Sequence, residues 1–550
     1  MSGRLRAFSR RPPAHIALAV TASLALAGLV VWQIFAVGPF RIDDAYITFS
    51  FSKNLATGHG PVFSHGVRVE GYSNFLWMVL NALPLVVDPT LDVYLSARLL
   101  AAPFLVLLLF ATYHLARARV GVAWAFAATL LVAMHSDLMW ALLSGLETVP
   151  YTALLTAAFA CQAAPLGARR RRWALPLMTL AALMRIDGFL PLGFLLAWEL
   201  LEARVQRRLH LLGYLRRAGP WLLLYATWFV WRYLYYGLPL PSTYYAKALL
   251  PILDSKRGWE YAHEKLTATG ALLTVPFLIL LAHRLVRSVW MLLLFALGHI
   301  AYVIRVGGDW MPFARFFVPI VPIACVLWVW AMADLAARAR ALRRWPRRLH
   351  AAALLVSVLV LGRLAMCSNN AWPDTDAGKR ARLWFPGEND AHVVRLQRVA
   401  ELLSLVVPSG KRLVTDYAGT VGYFTDAHVI DMWGLCNATI ATRGNADGVR
   451  PMFGRTCHAC YPELRPDYFH IETPWLRSPN AFASHADVVK AVWQADAIQR
   501  YLDVLGGFRS GRIVDQRDGS ALFFLERRAE PSPPPRNLPA WARIDYPFGL

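Results

Sequence analysis

The sequence predicts an α-helical polytopic membrane protein of about eleven spans, followed by a soluble C-terminal α/β domain. Three observations carry that expectation. Of 550 residues, 57% are hydrophobic and only 17% charged, with a mean hydropathy of +0.39, which excludes an ordinary soluble enzyme. Apolar runs of roughly 17 to 25 residues recur over the first two thirds of the chain, each long enough to cross a hydrocarbon core about 30 Å thick. From Ser368 onward the composition turns polar and rich in turn residues, over about one domain's length.

The first apolar segment, His15 to Val37, follows Arg4, Arg6, Arg10 and Arg11. Its length, and the lack of a small-residue cleavage site before Pro39, identify a retained anchor rather than a signal peptide. Further spans are expected at 92–116, 121–134, 138–163, 173–185, 189–204, 219–236, 267–283, 288–304, 315–336 and 350–366. The short run Asn74 to Val87 is different. Counting it as a span would put Arg117 and Arg119 outside, against the Lys/Arg excess of cytoplasmic loops, so it reads as an interfacial or re-entrant helix. With the N-terminus inside, Arg169 to Arg172, Arg207, Arg208, Arg216 and Arg217, Arg284 and Arg287, and Arg338 to Arg348 all fall in the cytoplasm. The formal charge of +22 is therefore a topology signal, not a nucleic-acid surface.

The same parity puts residues 368–550 outside. Arg412 to Thr415 and His428 to Asp431 look like short strands and Val393 to Leu405 like a helix, while the Pro-rich stretch Glu530 to Pro539 should be loosely ordered. Cys161 and Cys325 lie in apolar runs. Cys367, Cys436, Cys457 and Cys460 suit one or two disulfides in an oxidising compartment. The Cys457-His458-Ala459-Cys460 spacing is also compatible with zinc, but no second ligand pair accompanies it.

Polar motifs gather in the outer loops. The loop after the first span opens Arg41-Ile42-Asp43-Asp44-Ala45-Tyr46 and continues to Glu70-Gly71-Tyr72-Ser73-Asn74. Charge near a bilayer is costly and tends to mark function. Adjacent carboxylates raise one another's pKa, which suits a general base, although Asp is equally at home in the first turn of a helix. Other outer segments carry Glu147, Arg185 and Asp187, then Tyr244, Tyr245 and Lys247, then Asp309 and Arg315. The cations Lys247 and Arg315 suit a lipid phosphate, by point charge and by fork, or snorkelling to headgroups.

The run DDAYITFSFSKNLATGHGPVF with RVEGYSNFLW, the later LPSTYYAK and GGDWMPFARF, and DYAGTVGYFTDAHVIDMWGL in the C-terminal part resemble the GT-C superfamily glycosyltransferases. More narrowly they are similar to the terminal arabinofuranosyltransferases of actinobacterial cell walls and their Gram-negative relatives. The resemblance implies a multi-pass protein of the bacterial cytoplasmic membrane. It further implies inverting transfer from a polyprenyl-phosphate sugar, with arabinofuranose the leading guess, to a glycan or glycolipid acceptor. Asp43 or Asp44 would be the general base. Arg41, Tyr46, Glu70, Tyr72, Asn74, Glu147, Arg185, Asp187, Tyr244, Tyr245, Lys247, Asp309 and Arg315 are the donor- or substrate-binding candidates. No metal or other cofactor and no nucleic-acid partner is expected; membrane lipid is. A lipid-linked-sugar flippase and a non-catalytic envelope scaffold are the alternatives, the former calling for mid-bilayer charges and the latter for aromatics such as Trp433.

Overall fold

The computed structural model describes residues 13–341 apart from 39, 166, 207–210, 248–250, 269–285, 310, 312 and 313, together with 386–446, 455–470, 477–490, 507–528 and 538–546. The expected span at 350–366, nearly all of the one at 267–283, Cys367, and nearly all of the Pro-rich stretch lie outside the described residues.

The first part is a helical bundle. Its helices are α1 (Pro13–Val37), α2 (Asp43–Ala56), α3 (Phe75–Val87), α4 (Val93–Ala116), α5 (Val122–Ala133), α6 (Ser136–Leu143), α7 (Thr148–Gln162), α8 (Ala174–Met184), α9 (Phe189–Val205), α10 (Leu211–Tyr236), α11 (Ser242–Lys247), α12 (Pro251–Ala268), α13 (Arg287–Arg305) and α14 (Val321–Ala341). The centre is α7, buried on nearly every face. Its alanines let α4 and α8 approach closely, the small-residue solution to packing without a hydrophobic driving force. Asp92 starts α4 by accepting from the Tyr94 and Leu95 amides at 2.9 and 3.1 Å.

Among the described residues, Val93–Ala116, Arg287–Arg305 and Val318–Arg338 are each long and apolar enough to cross a membrane. Helices α5 and α6 form a pair bent by 55°. The expected span at 138–163 needs correcting: it is two helices, α6 and α7, broken at Ser144 to Glu147. Gly145 takes a left-handed φ of 75° there, which glycine adopts without strain. The carbonyls freed by the break are satisfied by side chains, with Tyr94 donating to Ser144 and Trp77 to Gly145 at 3.0 and 2.9 Å. The apolar run after Asn74 is the 13-residue α3, with Leu83, Val86 and Val87 exposed along it.

The C-terminal part is a six-stranded sheet with helices. Its elements are α15 (Pro386–Val406), β1 (Arg412–Thr415), α16 (Ala418–Phe424), β2 (His428–Asp431), α17 (Ala438–Arg443), β3 (Asn445–Ala446), β4 (Arg455–Thr456), α18 (Tyr461–Leu464), β5 (Tyr468–His470), α19 (His485–Lys490), β6 (Phe508–Asp515), β7 (Ser520–Arg527) and β8 (Ala542–Asp545). The sheet order is β2-β1-β5-β7-β6-β8, parallel through the first three strands and antiparallel after, while β3 and β4 pair separately. Strand alternation sends Val414, Phe469, Phe523 and Leu525 to one core and Leu413, Tyr468, Leu522 and Phe524 to the other. Helix α15 covers the second core with Val399, Leu402 and Leu403. Cys457 and Cys460 are joined as a disulfide, so their sulfurs are committed to each other rather than offered to zinc. Cys436 is a buried free thiol.

Candidate active site

A cavity of about 600 Å³ opens where several separate segments meet at one end of the bundle. They are the start of α2, the loop 71–74, the α6–α7 break, the α8–α9 turn, α11 with the residue before it, the end of α13 with Gly308 and Asp309, and Arg315 with Phe316. Leu435, from the loop after β2, adds a contribution from the C-terminal domain.

Helix α2 begins as the chain leaves α1, so Asp43 and Asp44 occupy its first turn. Successive helical residues point about 100° apart, and the two carboxylates diverge. Asp44 lines the cavity with Ile47 and Thr48, one turn further on. Asp43 turns away and accepts from the Thr420 amide at 2.7 Å. Burial pushes the Asp43 carboxyl up to about 6, against the lowering effect of the Thr420 and Gly419 hydrogen bonds and with a further push from neighbouring Asp44.

A hydrogen-bonded chain supports the wall beside Asp44. Thr48 Oγ1 donates to Asn74 Oδ1 at 3.2 Å, and Asn74 Nδ2 to Glu147 Oε2 at 2.8 Å. Arg185 then ties Glu147 at 2.9 Å to Asp187, which it grips through Nε and Nη2 at 2.9 and 3.2 Å. Across the cavity Arg315 holds Asp309 with a fork of 2.7 and 3.1 Å. Glu147, Asp187 and Asp309 are thus paired. Among the described residues, Asp44 takes part in no ion pair, and Lys247, Arg257 and Arg305 complete the charged lining.

Of the sequence-derived candidates, Asp44, Tyr72, Asn74, Glu147, Arg185, Asp187, Tyr244, Lys247, Asp309 and Arg315 line this one cavity. The others have different work. Arg41 forks onto Asp390 at 2.6 and 3.0 Å, and Tyr46 receives a hydrogen bond from Gln397 at 2.9 Å; both face the C-terminal domain. Glu70 is buried against the fully buried Arg232 at 2.7 Å, and its carbonyl accepts from the Ser242 amide at 2.9 Å. That pair anchors the loop bearing Tyr244 and Lys247. Tyr245 packs edge-on against Tyr244 without reaching the lining.

Sequence reasoning missed Arg257, Tyr302, Arg305 and Leu435. Arg305 ends an apolar run in the same Arg305-to-Arg315 stretch as Asp309, so its position was a usable signal. Arg257 is different: it reaches the cavity from α12, where its Nε donates to the Gly307 carbonyl at 3.0 Å.

Comparisons with known proteins show what this fold is similar to. The crystal structure of ArnT from Cupriavidus metallidurans bound to undecaprenyl phosphate superposes with a TM-score of 0.50 at 13% identity, covering 94% of this chain and 99% of that one. A terminal β-(1→2)-arabinofuranosyltransferase of Corynebacterium glutamicum is 27% identical over 323 residues, or 51% of this chain and 46% of the relative, so the match spans about half the relative's length. Residues 387–514 match a domain of unknown function (DUF8728).

Proposed function

We propose that the protein transfers a sugar from a polyprenyl-phosphate donor to a glycan or glycolipid acceptor at the outer face of the bacterial cytoplasmic membrane, with Asp44 as general base. The observation that supports this most is the company Asp44 keeps. Among the described residues it is a carboxylate outside the ion pairs, in a cavity whose other described acids are held by arginines and whose lining also carries Lys247, Arg257 and Arg305.

In the proposed step the acceptor hydroxyl gives its proton to the Asp44 carboxylate as its oxygen attacks the anomeric carbon. The bond from that carbon to the phosphate oxygen breaks, and the electron pair leaves on the phosphate. The configuration inverts. Lys247, Arg257 and Arg305 meet the charge that develops on the leaving group. A phosphate carries that charge well, so the step calls for no metal. Phe189 and Leu190 are partly exposed on the cavity's edge and give the prenyl chain an apolar side to enter by.

The topology belongs to the same reading: about eleven spans with the N-terminus inside, a transmembrane unit at 1–367 and a periplasmic unit at 368–550. Arabinofuranose is the leading donor sugar because the relative in Corynebacterium is an arabinofuranosyltransferase. Purified protein incubated with a panel of polyprenyl-phosphate sugars should release polyprenyl phosphate from one of them. Release that persists undiminished in Asp44→Asn removes Asp44 from the role.

A further inference from the structure

We infer that Asp43 is a positioning residue: it latches the C-terminal domain onto the first turn of α2, and through that contact the domain sets where Asp44 stands in the cavity. This rests on the reading of Asp44 given above.

The latch is built from residues far apart in the chain. Asp43 and Thr420 are separated by 377 positions and joined at 2.7 Å. Helix α16 rides directly on α2. A Cβ on Gly419 would lie 2.0 Å from the Asp43 carbonyl oxygen and 2.8 Å from Oδ2, and one on Gly422 would lie 2.6 Å from Phe63 Cζ. Only glycine permits that approach without displacing backbone. Three further ties run along α2 and its approach: Arg41 to Asp390, Gln397 to Tyr46 at 2.9 Å, and Lys53 Nζ to the Tyr423 carbonyl at 3.2 Å.

These contacts divide α2 into two faces. Residues 43, 46 and 53 meet the C-terminal domain, while 44, 47 and 48 meet the cavity. A helix is stiff over a single turn, so a displacement of Asp43 is passed to Asp44. The partners on the C-terminal domain lie in or beside α15 and α16, which pack on each other. The docking surface therefore moves as one piece. Because a reacting group misplaced by about 1 Å loses on the order of 10²-fold in rate, the domain controls chemistry it barely touches, its one described lining residue being Leu435.

The test uses the full-length protein in nanodiscs, with Asp43→Asn, Asp43→Ala and Gly419→Ala. Amide hydrogen exchange over residues 418–424, measured without substrate, reads the latch itself. Asp43→Ala and Gly419→Ala should exchange there about tenfold faster or more, and Asp43→Asn, which keeps an acceptor oxygen, should stay close to wild type. In transfer assays the first two should lose about 10² in kcat with the donor KM nearly unmoved. Unchanged exchange in Asp43→Ala and Gly419→Ala overturns the latch. So does an Asp43→Asn protein as inactive as Asp44→Asn with its exchange intact, because Asp43 would then be the base. Faster exchange supports the latch even in a protein that uses none of the donors, in which case the donor assignment is what fails.

Discussion

The two ends of the helical bundle both bury charge, and they do so differently. Helices α8, α9 and α13 each connect them. At one end stand Arg185, Asp187, Tyr302 and Arg305; at the other, Arg171, Glu199, Glu202 and Arg287. At that second end Arg171 and Arg287 both pair with Glu202, and Arg217 pairs with Glu199 at 2.6 Å, around a cavity of about 400 Å³. Arginines outnumber acids there, and both acids are held. Among the described acids lining the first cavity, Glu147, Asp187 and Asp309 are held by arginines and Asp44 is not. Buried ion pairs are therefore no mark of a site in this protein, since a paired charge is what any apolar bundle demands. In the proposed reading the carboxylate outside the pairs is what sets the first end apart.

The contrast between the two ends can be tested by substitution. The largest effect is expected from Asp44→Asn, which should cost about 10³-fold in transfer rate, the scale of a lost general base. Asp43→Ala should cost about tenfold less, through misplacement rather than lost chemistry; equal losses would erase the distinction between the two carboxylates.

Next come the pairs. Arg185→Met strands Glu147 and Asp187, and Glu202→Gln strands two arginines. Each should lower stability by about 3–5 kcal/mol, the usual result of breaking a buried pair from one side, measured by thermal unfolding in detergent. Only Arg185→Met should also lower the rate per folded molecule. An equal loss from Glu202→Gln would mean that the two ends are coupled.

A pH effect follows in size. The Asp43 carboxyl, raised by burial from an ordinary 3.8 to about 6, keeps its proton in the folded protein where the unfolded chain has released it. Stability should therefore fall as pH rises from about 4 to about 6 and level off above, by about 3 kcal/mol in all. Asp43→Asn should flatten that slope in thermal unfolding across the window; an unchanged slope would assign it to other groups. The smallest effect is expected at Lys247, whose replacement by Ala should raise the donor KM about tenfold, the worth of one charge-assisted contact. No change would leave the phosphate to Arg257 and Arg305.

The comparison also separates what was legible early from what was not. Apolar runs and arginine clusters identified the bundle and its basic end, because hydropathy and charge are sums over neighbouring residues. Strands β1 and β2 were legible from their short apolar runs. The break at Ser144 to Glu147 was marked in the sequence only by Gly145, Glu147 and Pro150 within an otherwise apolar run, and it takes the side chains of Trp77 and Tyr94 to satisfy the carbonyls it frees. Cys457 and Cys460 were visible as a pair, and only their placement at one turn decided for a disulfide.

An apolar bundle with a polar domain after it, and ionisable motifs in several separated segments, can be read from the amino-acid order alone. Local composition is enough for that. Only the tertiary structure decided that those segments share one cavity, that Asp44 faces into it while Asp43 faces Thr420, and that Arg41, Tyr46 and Glu70 hold the scaffold. The reason is physical. One residue of helix turns a side chain by about 100°, so adjacent identical residues acquire opposite environments, and which environment each meets depends on partners hundreds of positions away.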